Sequence, residues 1–284
     1  MDLPALALAF GVAWTPVPVP HATIIAPATS TPTVFDATGA ARTWDEALAD
    51  LATAGVIAVG ETHDDAAHHR LQAEVLTALV ARVPRVAVAF EMVGFEDQRT
   101  LDAYLSGALS EADFSIWWKK NWGYDFAIYK PIFDAAKAAG VPAYGLNAPR
   151  ILVKAVSKGG LSSLSPADRA RLPASVRESD DARYRAFVQE SVAGHGPLTP
   201  DQLKNRLEAM AVWNETMGEK AAAIAASGRV VLVIAGQGHV FYKAGVLESA
   251  ARRGAGSVKV LLPLSAAPQA DELALADWFH LAHD

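Results

Sequence analysis

The residue types most able to do chemistry are concentrated in one stretch, directly after the apolar run Val56 to Val59. This stretch contains Glu61, His63, His68 and His69. An apolar strand that ends on polar residues delivers them to the carboxyl edge of a parallel sheet, where such sheets bind their ligands. Carboxylates and imidazoles together can hold a metal, transfer a proton or orient a ligand. The stretch therefore predicts a binding or catalytic site.

Asp64 and Asp65 lie inside the same stretch and allow two interpretations. If a helix starts here, i,i+4 spacing pairs Asp64 with His68 and Asp65 with His69, so that adjacent turns could share a ligand or orient a ring. Alternatively, one aspartate caps the helix and its first turn is simply solvated. Capping accounts for the aspartates but gives the glutamate and the histidines no role, and we therefore favour a site.

Three further apolar segments also end on polar residues, namely Glu91, Asn147 and, after Gly236-Gln237-Gly238, His239. We expect these residues to converge with the first stretch at one edge of the sheet. A buried glutamate such as Glu91 is costly unless it is paired or ligating. Glu91 could instead cap a helix or pair with Arg150, and His239 could pack under its loop. The glycines do not form a dinucleotide-binding loop, because Phe241 replaces the third glycine of that motif.

An aromatic segment from Trp117 to Pro131 adds a different chemistry. We interpret it as a loop followed by a helix that starts at Asp125, whose N-terminal end must lie at the carboxyl edge of the sheet. Trp122, Tyr124 and Tyr129 therefore belong near the site. Flat apolar walls with an inward phenol suit a large planar ligand such as haem, whose iron can take tyrosine as an axial ligand. The alternative, favoured by composition alone, is an aromatic-rich core under a long loop.

Alternating strands and helices must position these side chains. After an edge hairpin near Thr33 to Asp36, short apolar strands are expected at Val56 to Val59, Val86 to Glu91, Pro142 to Asn147, Val230 to Ala235 and Val258 to Leu262. Nearly continuous apolar character is typical of strands that are buried on both faces. Alanine-rich helical segments separate them. This order predicts a three-layer α/β fold, with a mostly parallel sheet flanked by helices.

The segment between Asn147 and Val230 is too long for one crossover and has helical character throughout. We therefore expect a helical insertion at about residues 151–228, covering or flanking the site, within a single domain of residues 31–284. Residues 1–30 are expected to be a disordered or signal-like tail. Leu3 to Trp14 has the length of a signal-peptide core, although no Lys or Arg precedes it. It is too short to span a membrane.

Composition excludes several classes of function. A chain of 284 residues with 51% hydrophobic residues can bury a sizeable core. The net charge of −6 and the scattered basic residues argue against a nucleic-acid partner. The absence of cysteine excludes disulfides, thiolate metal sites, a cysteine nucleophile and covalent c-type haem attachment.

Taken together, the motifs resemble those of the ChaN-like haem-binding uptake proteins. The resemblance runs from about Val34 to Phe279. It is carried by Gly60-Glu61-x-His63-Asp64, His68-His69-x-x-Gln72, Glu91-Met92 with Gln98, Tyr129-x-Pro131, Leu146-Asn147-Ala148-Pro149, Ala211-x-Trp213-Asn214-x-x-Met217 and Gly236-x-Gly238-His239. The wider superfamily also resembles erythromycin esterase and the Tiki metalloproteases, which share the strand-end Gly-Glu-x-His signature.

The resemblance implies an exported bacterial protein of iron acquisition, with ferric haem held between two protomers of a homodimer. It implies a periplasmic or outer-membrane-associated location. Because no cysteine is present to carry a lipid, membrane association would be peripheral, through a missing or removed anchor. It also implies tyrosine ligation of the iron, for which we predict Tyr129 and, second, Tyr124. His63, His68 or His69 would donate a hydrogen bond to the phenolate or to a propionate.

A hydrolase is the rival hypothesis. In this interpretation Glu61, His63, Glu91 and His239 hold a divalent metal such as zinc, whose bound water is the nucleophile. No His-Glu-x-x-His motif supports it. Metal-free acid–base catalysis by a buried glutamate is a third possibility.

Overall fold

The structure is a computed structural model that describes residues 33–194 and 197–282, all within one compact unit. The predicted signal-like tail lies outside the described residues. In the part that is described, no helix is both long and apolar enough to cross a membrane.

An eight-stranded sheet forms the middle layer, in the order β2-β1-β8-β7-β3-β6-β4-β5. The strands are β1 Val34–Asp36, β2 Ala41–Arg42, β3 Val56–Glu61, β4 Val86–Gly94, β5 Ala143–Asn147, β6 Val230–Gly236, β7 Val258–Leu264 and β8 Trp278–Leu281. From β8 to β5 all neighbours are parallel, whereas β1 is antiparallel to both β2 and β8.

Helices cover both faces of this sheet. They are α1 Trp44–Leu51, α2 Ala66–Arg82, α3 Gln98–Leu105, α4 Glu111–Asn121, α5 Phe126–Ala139, α6 Arg150–Gly159, α7 Pro166–Arg169, α8 Ala182–Ala193, α9 Pro200–Ala226 and α10 Val246–Arg252. Short 3₁₀ turns lie at Phe95–Asp97, Leu161–Ser163, Gln237–His239 and Phe241–Lys243. Helices α6 to α9 form the insertion between β5 and β6.

The two faces of the sheet carry side chains of different size, because alternate strand residues point in opposite directions. The face under α1 to α5 presents large residues, including Ile57, Val59, Val88, Phe90 and Ile234. The face under α9 and α10 presents several alanines, including Ala58, Ala87, Ala89 and Ala235. Small side chains let the long helix α9 lie close to the strands. The prediction of a three-layer α/β fold with a helical insertion is confirmed.

Three elements differ from the sequence prediction. The tryptophans at 117 and 118 lie on α4, not in a loop, because Ser110 caps a helix whose buried residues, Phe114 and Trp118, are four apart. Strand β4 continues past Glu91 to Gly94. Strand β8 was not predicted, since its four residues become a strand only by pairing with β7 and with β1, which lies at the other end of the described chain.

Candidate functional site

Polar residues from β3, β4 and β6 meet at the carboxyl edge of the sheet. The β3–β6 pairing extends to Glu61 opposite Gly236. The β4–β6 pairing stops one residue before Glu91, and the register between β4 and β5 shifts at the same point. Such irregularities re-aim side chains next to functional sites. Here the Gly236 N–H donates to Oε2 of Glu91 at 2.7 Å.

Glu61 is the centre of a buried hydrogen-bond cluster. Its Oε1 lies 2.7 Å from Nδ1 of His63, and its Oε2 lies 3.0 Å from Nδ1 of His69. Gln72 donates to Oε2 at 3.1 Å, and the Tyr129 hydroxyl donates to Oε1 at 3.0 Å. A carboxylate that only accepts hydrogen bonds is well stabilised by four donors. Glu61 is therefore ionised and fixed in position.

The contacts within this cluster lower the pKa of Glu61 and raise the pKa values of His63 and His69. Burial alone would raise the pKa of Glu61, but hydrogen bonds from His63 and His69 outweigh it and lower that pKa to about 2. Burial alone would lower the pKa of each histidine, yet the hydrogen bonds to Glu61 raise both above the ordinary value. The buried carboxylate thus favours an imidazolium on either side.

A second polar chain runs through Glu91. Its Oε1 lies 3.3 Å from Nε2 of His239, whose Nδ1 lies 2.7 Å from Oδ1 of Asn214. Asn214 donates to the Tyr184 hydroxyl, which donates to the Gly238 carbonyl, both at 2.9 Å. Burial would raise the pKa of Glu91, but the charge and hydrogen bond of His239 lower it. The partner that a buried glutamate requires is therefore His239.

A cleft of about 300 Å³ lies at these two clusters. Among the residues lining it are Glu61, His63, Tyr124, Phe187, Val188, Met210, Gly236 and His239. The ring of His63 stands edge-on to Trp122 at 4.8 Å between centroids and lies 5.5 Å from the ring of Tyr124. With Nδ1 bound to Glu61, Nε2 of His63 is directed toward Gly236 and the cleft.

The two candidate tyrosines differ in access. Tyr129 is 0% exposed, and its hydroxyl lies 3.0 Å from both Glu61 Oε1 and the His63 carbonyl oxygen while accepting from Trp122 Nε1 at 3.1 Å. Burial, and then the charge of Glu61, raise its pKa far above the usual range. Tyr124 lines the cleft and is 36% exposed. Of the two phenols, Tyr124 is therefore the one at the surface of the cleft, whereas Tyr129, which we expected first, is buried.

The paired histidines His68 and His69 belong to the framework around the cleft. Nδ1 of His68 accepts a hydrogen bond from the Thr62 N–H at 3.0 Å, and burial lowers the pKa of His68. The neutral ring of His68 therefore stabilises the turn after β3. His69 is fully buried and contacts Gln72 as well as the Glu61 carboxylate. Asp65 faces His68 rather than His69, at i,i+3, because it caps α2 instead of lying within it.

Asn147 supports a strand next to the cleft, and helices α8 and α9 of the insertion contribute residues to its lining. Asn147 donates to the Glu91 carbonyl at 2.9 Å and so supports the irregular part of β4. The sequence analysis gave no role to Tyr184, Phe187, Met210 or Asn214. Of these, only Asn214 had a sequence signal, the Trp213-Asn214 motif. The others come from α8 and α9, which reach the sheet edge only through tertiary packing.

The residues proposed for a metal-dependent hydrolase form two hydrogen-bonded pairs instead, Glu61 with His63 and Glu91 with His239. Among residues 33–194 and 197–282, no group of three or more His, Asp or Glu side chains is arranged to hold a metal ion.

The sequence profile of a family described as haem-binding uptake, Tiki superfamily, ChaN, matches residues 47–249. The chain belongs to this family. The resemblance recognised in the motifs is thereby confirmed. No curated protein matches the chain in sequence.

Solved structures of this family and of others share the fold. ChaN of Campylobacter jejuni, solved for cofacial haem binding, is 16% identical, with a TM-score of 0.69 over 89% of this chain and 97% of that one. The type III effector HopBA1 is 13% identical, with a TM-score of 0.51 over 84% of this chain and 93% of that one.

Proposed function

We propose that this protein binds ferric haem in the cleft beside Glu61 and His239, as a step in the uptake or trafficking of haem iron. Membership of the haem-binding uptake family supports this proposal. The observation that carries it is Tyr124, an accessible phenol at the cleft and next to His63, whose ring is held by a buried carboxylate. The cofacial haem binding of the Campylobacter ChaN is consistent with it.

In this proposal Tyr124 supplies phenolate to the iron. The bound haem would contribute a ferric centre, and tyrosine is one of the axial ligands that such a centre takes in proteins. Phenolate favours Fe(III), which suits capture and transfer of haem more than redox catalysis. His63 would donate a hydrogen bond from Nε2 to the phenolate oxygen, since its raised pKa favours the protonated ring.

The residues of the cleft fit a flat, largely apolar ligand. Phe187, Val188 and Met210 of the insertion contribute apolar side chains to the lining, and His63 and His239 contribute polar ones. A mostly apolar surface with a few placed polar groups is typical of cofactor sites.

The test is a titration of the apo-protein with hemin. We expect a saturable Soret shift together with the weak charge-transfer bands of a high-spin, phenolate-ligated ferric haem. Tyr124→Phe removes only the hydroxyl and should abolish those bands. A titration no different from hemin in buffer would contradict the proposed function.

Tyr129→Phe is the matched control, since it removes the same atom from a buried position. It should keep the charge-transfer bands but lower the free energy of unfolding by about 1–3 kcal/mol, because it breaks hydrogen bonds to buried partners. The opposite outcome, bands lost in Tyr129→Phe and kept in Tyr124→Phe, would assign the iron to Tyr129.

We also propose that the protein acts as a haem-bridged homodimer and that it is exported, to the periplasm or the outer membrane. The uptake function of the family supports export, and the cofacial haem binding of the Campylobacter protein supports a bridged assembly. The metal-dependent hydrolase is not favoured, because its four candidate ligands are engaged with each other.

A further inference from the structure

A groove of about 610 Å³ lies between α6 and α9 of the insertion. Its residues include the apolar side chains of Val153, Met210 and Trp213 and four basic ones, Arg150, Lys154, Lys158 and Arg206. In size it falls within the range of about 300–1,000 Å³ that small-molecule sites occupy. It thus combines apolar contact surface with a concentration of positive charge.

The positive charge of this groove is not neutralised by neighbouring carboxylates. Within the described part of the chain, ion pairs join at least twelve other Lys and Arg residues to acids, and none of the four groove cations takes part. The whole chain carries a net charge of −6. Four uncompensated cations in an acidic protein create a local positive potential that favours an anionic ligand.

The sequence of α6 concentrates this charge. Arg150, Lys154 and Lys158 recur every four residues along one side of the helix, and α6 contains no acidic residue. Arg150 is the first residue of the helix, where the positive end of the helix dipole disfavours a cation. Folding stability does not explain a basic residue there, whereas binding of an anion does.

The groove adjoins the cleft that contains Tyr124. Met210 and Ser191 line both cavities. Trp213, in the groove, stands edge-on to His239, in the cleft, at 5.9 Å between ring centroids. A flat ligand whose iron lies at the cleft can therefore extend its edge into the groove.

We infer that the groove binds the carboxylate edge of the porphyrin, with its propionates paired to the cations of α6 and α9. The inference rests on the proposed haem binding and adds where the anionic side groups lie. A porphyrin with two propionates matches the groove in both respects, an apolar ring against Trp213 and Met210 and carboxylates against Lys154 and Arg206. Guanidinium and carboxylate groups form the stronger, charge-assisted hydrogen bonds of this kind.

The test compares hemin with its dimethyl ester, both in the same fixed fraction of dimethyl sulfoxide. The variant Lys154→Gln/Arg206→Gln should weaken hemin binding by about tenfold, because each exposed ion pair contributes up to about fivefold. It should change binding of the ester by less than about threefold. The control Arg99→Gln/Lys204→Gln removes the same charge from exposed positions on α3 and α9 outside the groove and should affect neither ligand.

Metal-free protoporphyrin IX separates this inference from the proposed function. It carries both propionates and no iron, so the groove variant should weaken its binding while Tyr124→Phe should not. The groove assignment would be overturned if the groove variant lost equal affinity for hemin and for its dimethyl ester, or lost affinity for neither. Haem binding itself would still stand if the wild-type protein showed phenolate bands with hemin. If protoporphyrin IX required the groove cations and hemin gave no phenolate bands, iron ligation would fail and the groove assignment would stand.

Discussion

The buried carboxylate of Glu61 both stabilises the charge of the neighbouring histidines and holds the His63 ring in position. Its carboxylate accepts hydrogen bonds from His63, His69, Gln72 and Tyr129, and it is almost completely buried. A buried charge is tolerated only when it is paired and hydrogen-bonded. The same contacts orient the His63 ring with Nε2 toward the cleft, so the residue that stabilises the site also prepares it for a ligand.

Glu61→Gln should therefore lower the free energy of unfolding by about 3 kcal/mol at pH 5–6, because it leaves two histidines without their carboxylate. The pKa of Glu61 is lowered, so its contribution is present above pH 4.5 and is lost as the pH falls toward 2. The pKa values of His63 and His69 are raised, so their contribution is complete below pH 6.5 and is lost as the pH rises through those raised values.

The stability difference between wild type and Glu61→Gln should thus be largest between about pH 4.5 and 6.5 and smaller on either side. Urea unfolding at a series of pH values measures it. Glu74→Gln, an exposed change on α2, is the control and should stay within about 0.5 kcal/mol. A difference that is constant from acid to alkaline pH would contradict the ion-pair role of Glu61.

At the scale of elements, the position of the His63 ring depends on how closely the end of β6 approaches the residues that follow β3. Gly236 ends β6, and a Cβ built on it would lie 2.7 Å from Cε1 of His63 and 3.5 Å from a carboxylate oxygen of Glu91. The glycine therefore provides the space into which the imidazole fits. Any side chain here would compete with the ring for that space.

Gly236→Ala should displace the His63 ring and destabilise the protein by about 1–3 kcal/mol, as overpacking does. Hemin affinity should fall by about tenfold if the lost site geometry costs about 1.4 kcal/mol. Thermal unfolding and hemin titration measure the two effects. Gly238→Ala, two residues away, is a milder comparison, because its added Cβ would meet only Phe187 at an ordinary 3.6 Å. Equal effects of the two substitutions would contradict the steric role of Gly236.

At the scale of the whole molecule, assembly should depend on the ligand. A haem placed at an open cleft keeps part of its apolar face exposed to water, and a second protomer can cover that face. In a two-fold assembly both protomers would present the same cleft to each other. Binding and dimerisation would then be thermodynamically linked.

Sedimentation velocity should accordingly show that one equivalent of hemin increases the dimer fraction, and that Tyr124→Phe weakens this response. Dilution of the complex should reduce both dimer and bound haem, since linkage is reciprocal. The same mass with and without stoichiometric hemin would contradict a haem-bridged dimer.

The sequence by itself determined the architecture and which polar residues meet at one edge of the sheet. Apolar strand runs alternate with helical segments, and the order of such segments leaves few ways to bury them. Polar residues at the ends of the strands, such as Glu61 and Asn147, lie at the carboxyl edge because strand direction places them there. These are local properties of the chain, and local patterns are readable from sequence.

Only the tertiary structure decided what each polar residue does. Whether Tyr129 or Tyr124 is accessible depends on how α5 packs against α2 and the sheet, and no spacing reveals it. The pairing of His239 with Asn214 and the basic groove between α6 and α9 join residues from distant parts of the chain. Burial, pKa and access arise from such long-range packing, which is why the sequence placed these residues at one sheet edge but did not reveal their partners.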